Sequence, residues 1–138
     1  PGAEFATLAQ RFLLRSDPII EAPHLLYRQG YFYLFMSFNH CCRGADTQYQ
    51  VRVGRSRDIA GPYLDANGWP LYLGGGTPLI ARDGNYMGTG HSDLFSENGQ
   101  DWLVHHAKRA DEDYRAYLHI RKLRWLTTGW PSLCAEPA

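Results

Sequence analysis

Hydrophobic and polar positions divide this chain into short β-prone runs separated by turn residues. Ile19 to Tyr27 and Tyr31 to Phe38 flank a turn at Arg28-Gln29-Gly30. Two apolar runs around a short turn containing Gly predict a hairpin. A polar loop, Asn39 to Asp46, leads to Tyr49-Gln50-Val51-Arg52-Val53-Gly54, whose period of two predicts a half-buried strand. Arg55 to Tyr63 reads as a turn into a short outer strand, Tyr63-Leu64, which completes a four-stranded meander.

Asp65 to Pro70 and Gly74 to Pro78 are rich in structure breakers, after which the pattern restarts. Leu79-Ile80-Ala81, Tyr86 to Phe95, Trp102 to His106 and Leu118 to Trp125 form a second predicted meander, closed by Thr127 to Pro131. Ahead of both, Phe5, Leu8, Phe12 and Leu13 are spaced for a helical turn or two before Arg15-Ser16-Asp17-Pro18 ends them, so residues 1–18 read as a lead-in segment. Residues 19–138 then hold two successive four-stranded meanders, an all-β pattern of the kind that builds propeller blades. Two blades cannot close a ring, so both flanking faces are expected to stay open and apolar.

At 138 residues the chain suffices for one small domain with a core. Aromatic residues make up 14%, mostly nine Tyr and four Trp, which suit sheet surfaces and also sugar-binding clefts. A formal net charge of zero argues against a dedicated nucleic-acid binder. Arg115, Arg121, Lys122 and Arg124 are offset by Asp111, Glu112 and Asp113 nearby and read as a solvated face. No apolar run has the length of a membrane-spanning helix. The chain starts Pro1-Gly2-Ala3 with neither Met nor a signal-peptide pattern, so this end is expected to be a processing, cloning or cleavage product.

Of three cysteines, Cys41 and Cys42 are adjacent and Cys134 is distant. Neighbouring Cα atoms lie about 3.8 Å apart, below the usual disulfide span, so a Cys41–Cys42 bridge is expected to be strained. No C-x-x-C pair is present, which removes a zinc or thioredoxin signature, and no disulfide framework is expected.

One carboxylate, Glu21, heads the first strand with apolar neighbours on both sides. Burial in such a setting disfavours the ionised form of a carboxyl, and a general acid must still hold its proton near neutral pH. Taken alone, a Glu there also reads as a solvated strand-end residue. His91 follows Gly88-Thr89-Gly90, and backbone without side chains at both glycines would let a ligand approach. Asp93 lies two residues on, where it could support a metal-bound water. His105 and His106 point to opposite faces of one strand, and His24, three residues past Glu21, falls on the face opposite it. The four Trp are expected to pack between blades rather than to form sugar platforms.

Glu21-Ala22-Pro23 ahead of Gly30-Tyr31-Phe32-Tyr33-Leu34-Phe35, then Cys41-Cys42-Arg43-Gly44, Val53-Gly54-Arg55-Ser56 and Gly61-Pro62-Tyr63 together resemble glycoside hydrolase family 43, particularly its endo-α-1,5-L-arabinanases. Gly74-Gly75-Gly76-Thr77, Gly88-Thr89-Gly90-His91 and Gly129-Trp130-Pro131 extend the resemblance in order from about Ile19 onward. It implies a five-bladed β-propeller, of which this chain resembles the C-terminal two blades, and inverting hydrolysis of α-1,5-linked arabinan. By the same resemblance Glu21 matches the general acid, Arg43 a wall of the arabinose pocket, and His91 the histidine near a hydrated calcium ion. Calcium prefers oxygen ligands, so its contact with His91 is expected to run through water.

The general-base and tuning aspartates implied by the resemblance belong to earlier blades, and Asp17 does not take their place. Inverting chemistry needs two carboxyl groups about 6.5–9.5 Å apart with a water between them. The implied partners are therefore arabinan or an arabino-oligosaccharide together with a chain carrying the N-terminal blades, or a second copy of this chain. A non-catalytic half-propeller that binds carbohydrate or complements a partner is the alternative.

Overall fold

The computed structural model describes residues 19–133. The lead-in segment 1–18 and Cys134 lie outside the described residues. Eight strands follow one another in the order β1 (Ile20–Arg28), β2 (Tyr31–Phe38), β3 (Gln50–Ser56), β4 (Thr77–Ile80), β5 (Tyr86–Glu97), β6 (Gln100–Arg109), β7 (Arg115–Trp125) and β8 (Pro131–Leu133). They form two four-stranded antiparallel sheets, β1-β2-β3-β4 and β5-β6-β7-β8, each in sequential order. The two-meander expectation holds in number and order.

The frame of the first meander differs from the sequence reading. Its outer strand is Thr77–Ile80, not Tyr63-Leu64, and Leu79-Ile80 therefore closes the first sheet rather than opening the second. Leu64 only bridges Arg55 and Pro70. The intervening excursion is held by Asp65, whose Oδ1 accepts the Asn67 and Trp69 amides at 2.9 Å each and whose Oδ2 accepts the Gly76 amide at 3.0 Å. That excursion delays the outer strand by more than a dozen residues, which turn signals alone did not reveal. The second sheet gains its outer strand at Pro131–Leu133, where the sequence had suggested only a closing turn. Both outer strands carry a proline, a residue tolerated at sheet edges because its missing N–H faces no partner.

The sheets pack through a core of Tyr33, Phe35, Val51, Val53 and Ile80 from the first and Leu103 and Trp130 from the second half of the chain. Tyr33 meets Trp125 at 4.9 Å and its hydroxyl donates to the Gly129 carbonyl at 2.6 Å, joining the sheets at one end. Trp125 and Trp130 thus pack as expected, whereas Trp69 sits exposed in the excursion with its indole N–H on the Leu73 carbonyl. The far face of the first sheet has its own cluster, Phe38, Tyr63 and Leu71, but Leu25 and Tyr27 remain exposed there. On β7, Leu118 is 72% exposed and Ile120 56%, so apolar groups are open on both sheets, as two blades without neighbours require.

Candidate active site

The first strands of the two sheets lie against each other and carry the same irregularity. On β1, Glu21 pairs with Ser37 and His24 with Phe35, so three steps along β1 span two along β2. On β5, Gly90 pairs with His106 and Asp93 with Val104, again three steps against two. Each bulge places a non-glycine residue in the left-handed region, Ala22 at φ 53° and His91 at φ 54°. An extra residue bends the strand and re-aims the side chains around it. Glu21-Ala22-Pro23-His24 and Gly90-His91-Ser92-Asp93 are therefore equivalent devices on neighbouring sheets.

These bulges overturn two readings based on simple alternation. Glu21 and His24 face partners two residues apart on β2, so they share a face instead of lying on opposite ones. His24 Nδ1 meets Asp93 Oδ1 at 2.7 Å, joining the residues that close the two bulges. Asp93 is thus engaged with His24, and the period of two that linked it to His91 is interrupted.

Glu21 is exposed, so within this chain the apolar enclosure inferred from its neighbours does not form. It sits at the start of β1, and its enclosure depends on what covers that end. Glu21 Oε1 instead accepts the Tyr49 hydroxyl at 2.6 Å. Tyr49 is 2% exposed and its ring stacks on His106 at 5.6 Å, with the planes inclined by only 9°. Burial, followed by the hydrogen bond to Glu21, pushes the Tyr49 hydroxyl up to about 12, so it stays protonated throughout the working pH range.

The glycines before His91 serve the protein rather than a ligand. A Cβ at Gly90 would overlap the Tyr49 ring, and one at Gly88 would come within 3.2 Å of the Cys41 carbonyl and 3.4 Å of Thr47. The space expected for a ligand is filled by Tyr49 and by the loop that carries Arg43. His91 itself is exposed; its amide donates to Ser37 Oγ at 2.8 Å, and its ring lies 6.5 Å from that of His106.

Arg43 is exposed beside a depression of about 390 Å³ that it lines with Asn39, His40, Asp46 and Gln48. The loop is pinned by Thr47 Oγ1, which bonds to the His40 and Cys41 carbonyls at 2.8 and 3.2 Å. Cys41 and Cys42 form a disulfide between neighbouring residues, and Lys108 Nζ lies 3.2 Å from Cys42 Sγ.

His105 and His106 do diverge, as alternation predicts. His105 is buried, with Nδ1 2.9 Å from the His106 carbonyl and its ring 5.3 Å from that of His119. Burial depresses it to about 4, which keeps it neutral. His106 is also pushed down, first by burial and then by the charges of Lys108 and His91. Among the described residues no group of three His, Cys, Asp or Glu is placed to hold a metal ion. Tyr49 and Ser37 were missed as site residues: Tyr49 read only as the start of a strand and Ser37 as the end of one, and no local motif marks either.

Residues 5–131 match the family described as Glycosyl hydrolases family 43. An extracellular exo-α-(1→5)-L-arabinofuranosidase of Cellvibrio japonicus is 42% identical over 83% of this chain and 33% of its own length. An extracellular endo-α-(1→5)-L-arabinanase of Bacillus subtilis is also 42% identical, over 82% of this chain and 34% of its own length. The chain therefore spans about a third of these relatives. Among solved structures, the Cellvibrio cellulosa α-L-arabinanase complexed with arabinohexaose superposes with a TM-score of 0.80 at 42% identity, covering 83% of this chain and 36% of the other.

Proposed function

The chain belongs to glycosyl hydrolases family 43, corresponding to the C-terminal part of its arabinan-degrading members and to two blades of their five-bladed propeller. From that premise we propose that it supplies the general-acid half of an inverting active site cleaving α-1,5-L-arabinofuranosyl linkages. The observation that carries the reading is the pair of equivalent bulges, which hold Glu21 and His91 one position apart in matching stretches of the first strands of the two sheets.

In this reading Glu21 protonates the glycosidic oxygen as the bond breaks, while a carboxylate on the remaining blades activates water from the opposite side of the sugar. Arg43 contributes a charged wall to the arabinose pocket. The remaining blades of the family's propeller would cover the open faces at Leu25 and Tyr27 and at Leu118 and Ile120.

His91 is the residue that would meet a calcium ion. One imidazole with no carboxylate cage around it among the described residues fits a contact made through water and not a protein-built calcium site. Bound in that way, the ion would supply positive charge close to the bond being broken. Chelation and His91→Ala are each expected to lower the rate of the assembled enzyme; unchanged rates under both would remove His91 from the site.

The reading is tested by mixing the chain with a polypeptide carrying the remaining blades and measuring reducing sugar released from linear arabinan. Hydrolysis that Glu21→Gln abolishes supports it. Saturable binding of arabinan with no hydrolysis by the mixture would overturn it in favour of a carbohydrate-binding half-propeller.

A further inference from the structure

The hydroxyl of Tyr49 stands between two directed hydrogen bonds at the paired bulges. On one side the His91 amide, which can only donate, is accepted by Ser37 Oγ at 2.8 Å. Ser37 and the His91 backbone lie beside the Tyr49 oxygen, and both oppose the upward push on that hydroxyl. Tyr49 has one hydroxyl proton to give, and Glu21 Oε1 receives it at 2.6 Å. Ser37 is fully buried and Tyr49 nearly so, so water does not compete for these groups.

We propose that Tyr49 is a positioning residue for the proton donor: it holds Glu21 Oε1 as a permanent acceptor and thereby confines the carboxyl proton to Oε2. The inference rests on the reading of Glu21 as general acid and goes beyond it, because it states which oxygen gives the proton and why. An unrestrained carboxylic acid divides its proton between two oxygens and rotates about its terminal torsion, which is broad. Here an oxygen already receiving the Tyr49 proton is a poor place for a second one. The proton that leaves with the glycosidic oxygen then starts from one defined atom, and alignment of that kind is a large part of what an active site contributes.

The surroundings keep Tyr49 rigid. Its ring packs against His106 and against the bare backbone of Gly90, where any side chain would displace it. Gly90, Ser37 and the strained His91 thus serve one geometry. The bulge at His91 aims its amide at Ser37, and the bulge at Ala22 aims Glu21 at Tyr49.

Two measurements test the proposal. On the chain alone, proton NMR near neutral pH is expected to show a slowly exchanging hydroxyl resonance downfield of the amides, absent in Tyr49→Phe and displaced in Glu21→Ala. A spectrum in which Glu21→Ala leaves that resonance in place would overturn the proposal. On the enzyme assembled with its remaining blades, Tyr49→Phe is expected to lower kcat on linear arabinan by about ten-fold with KM little changed. The same variant is expected to act almost normally on a nitrophenyl arabino-oligosaccharide, whose phenolate leaves without protonation. Equal losses on both substrates would mean a general loosening of the fold and would contradict the assignment. If Glu21→Gln itself leaves arabinan hydrolysis intact, the general-acid reading fails first, and the NMR result still decides whether the hydrogen bond exists.

Discussion

Glu21, Tyr49 and Gly90 form one geometric unit in which each residue type answers to its neighbours. Glu21→Gln keeps the shape and the hydrogen bond to Tyr49 but cannot release a proton, so kcat on arabinan is expected to fall by about 10²–10⁴-fold in the assembled enzyme. Gly90→Ala would force the Tyr49 ring off His106, and overpacking of this kind costs about 1–3 kcal/mol, readable as a lowered urea midpoint. His105 makes a pH-dependent contribution. Its folded value of about 4 lies below the ordinary 6.5, so between those values the unfolded chain binds more protons than the folded one. Stability should therefore be full above pH 6.5 and fall as the pH drops toward 4, by a few kcal/mol at most from this residue. Urea titrations at pH 7.5 and 4.5, repeated on His105→Gln, check this: the variant should lose much of the pH dependence. At this scale the motif around Glu21 was visible in the sequence and its partner was not. Tyr49 lies 28 residues away, and only the fold brings its hydroxyl to the carboxylate.

Among the elements, runs and turns located seven of the eight described strands, including the hairpin of β1 and β2 and the long strands β5, β6 and β7, but assigned one of the seven, β4, to the wrong sheet. What they left out was the irregular part. A bulge moves a side chain to the other face without altering the hydrophobic pattern enough to be noticed, which is why Glu21 and His24 were assigned to opposite faces. The outer strand of the first sheet was misplaced because the excursion after β3 mimics a strand at Tyr63-Leu64 and ends in Gly74-Gly75-Gly76, which read as a break. Asp65 organises that excursion. Burial acts to raise its carboxyl, but the amides of Gly76, Trp69 and Asn67 and the charge of Arg52 together hold it below the ordinary carboxylate range. Asp65→Ala leaves those amides without their acceptor and should destabilise the fold by about 2 kcal/mol, measurable as a drop in Tm with the sheet signal in circular dichroism retained.

At the scale of the whole, the described residues form two blades with a shared core and apolar groups left open on the outer faces of both. That openness followed from counting meanders, since two blades cannot bury both of their outer faces; the exposure of Glu21 follows from the same arithmetic. Leu118 and Ile120 on β7 mark the face available to further blades, and Leu118→Glu with Ile120→Lys is expected to abolish assembly with the remaining blades while leaving the chain folded, as followed by size exclusion. The central claim is that this chain brings the proton donor and its supports to an active site completed by the remaining blades. Release of reducing sugar from linear arabinan by the reconstituted pair tests it most directly. Activity is expected only when both parts are present and is expected to vanish when this chain carries Glu21→Gln; a reconstituted pair that cleaves arabinan equally well with Glu21→Gln would contradict the account.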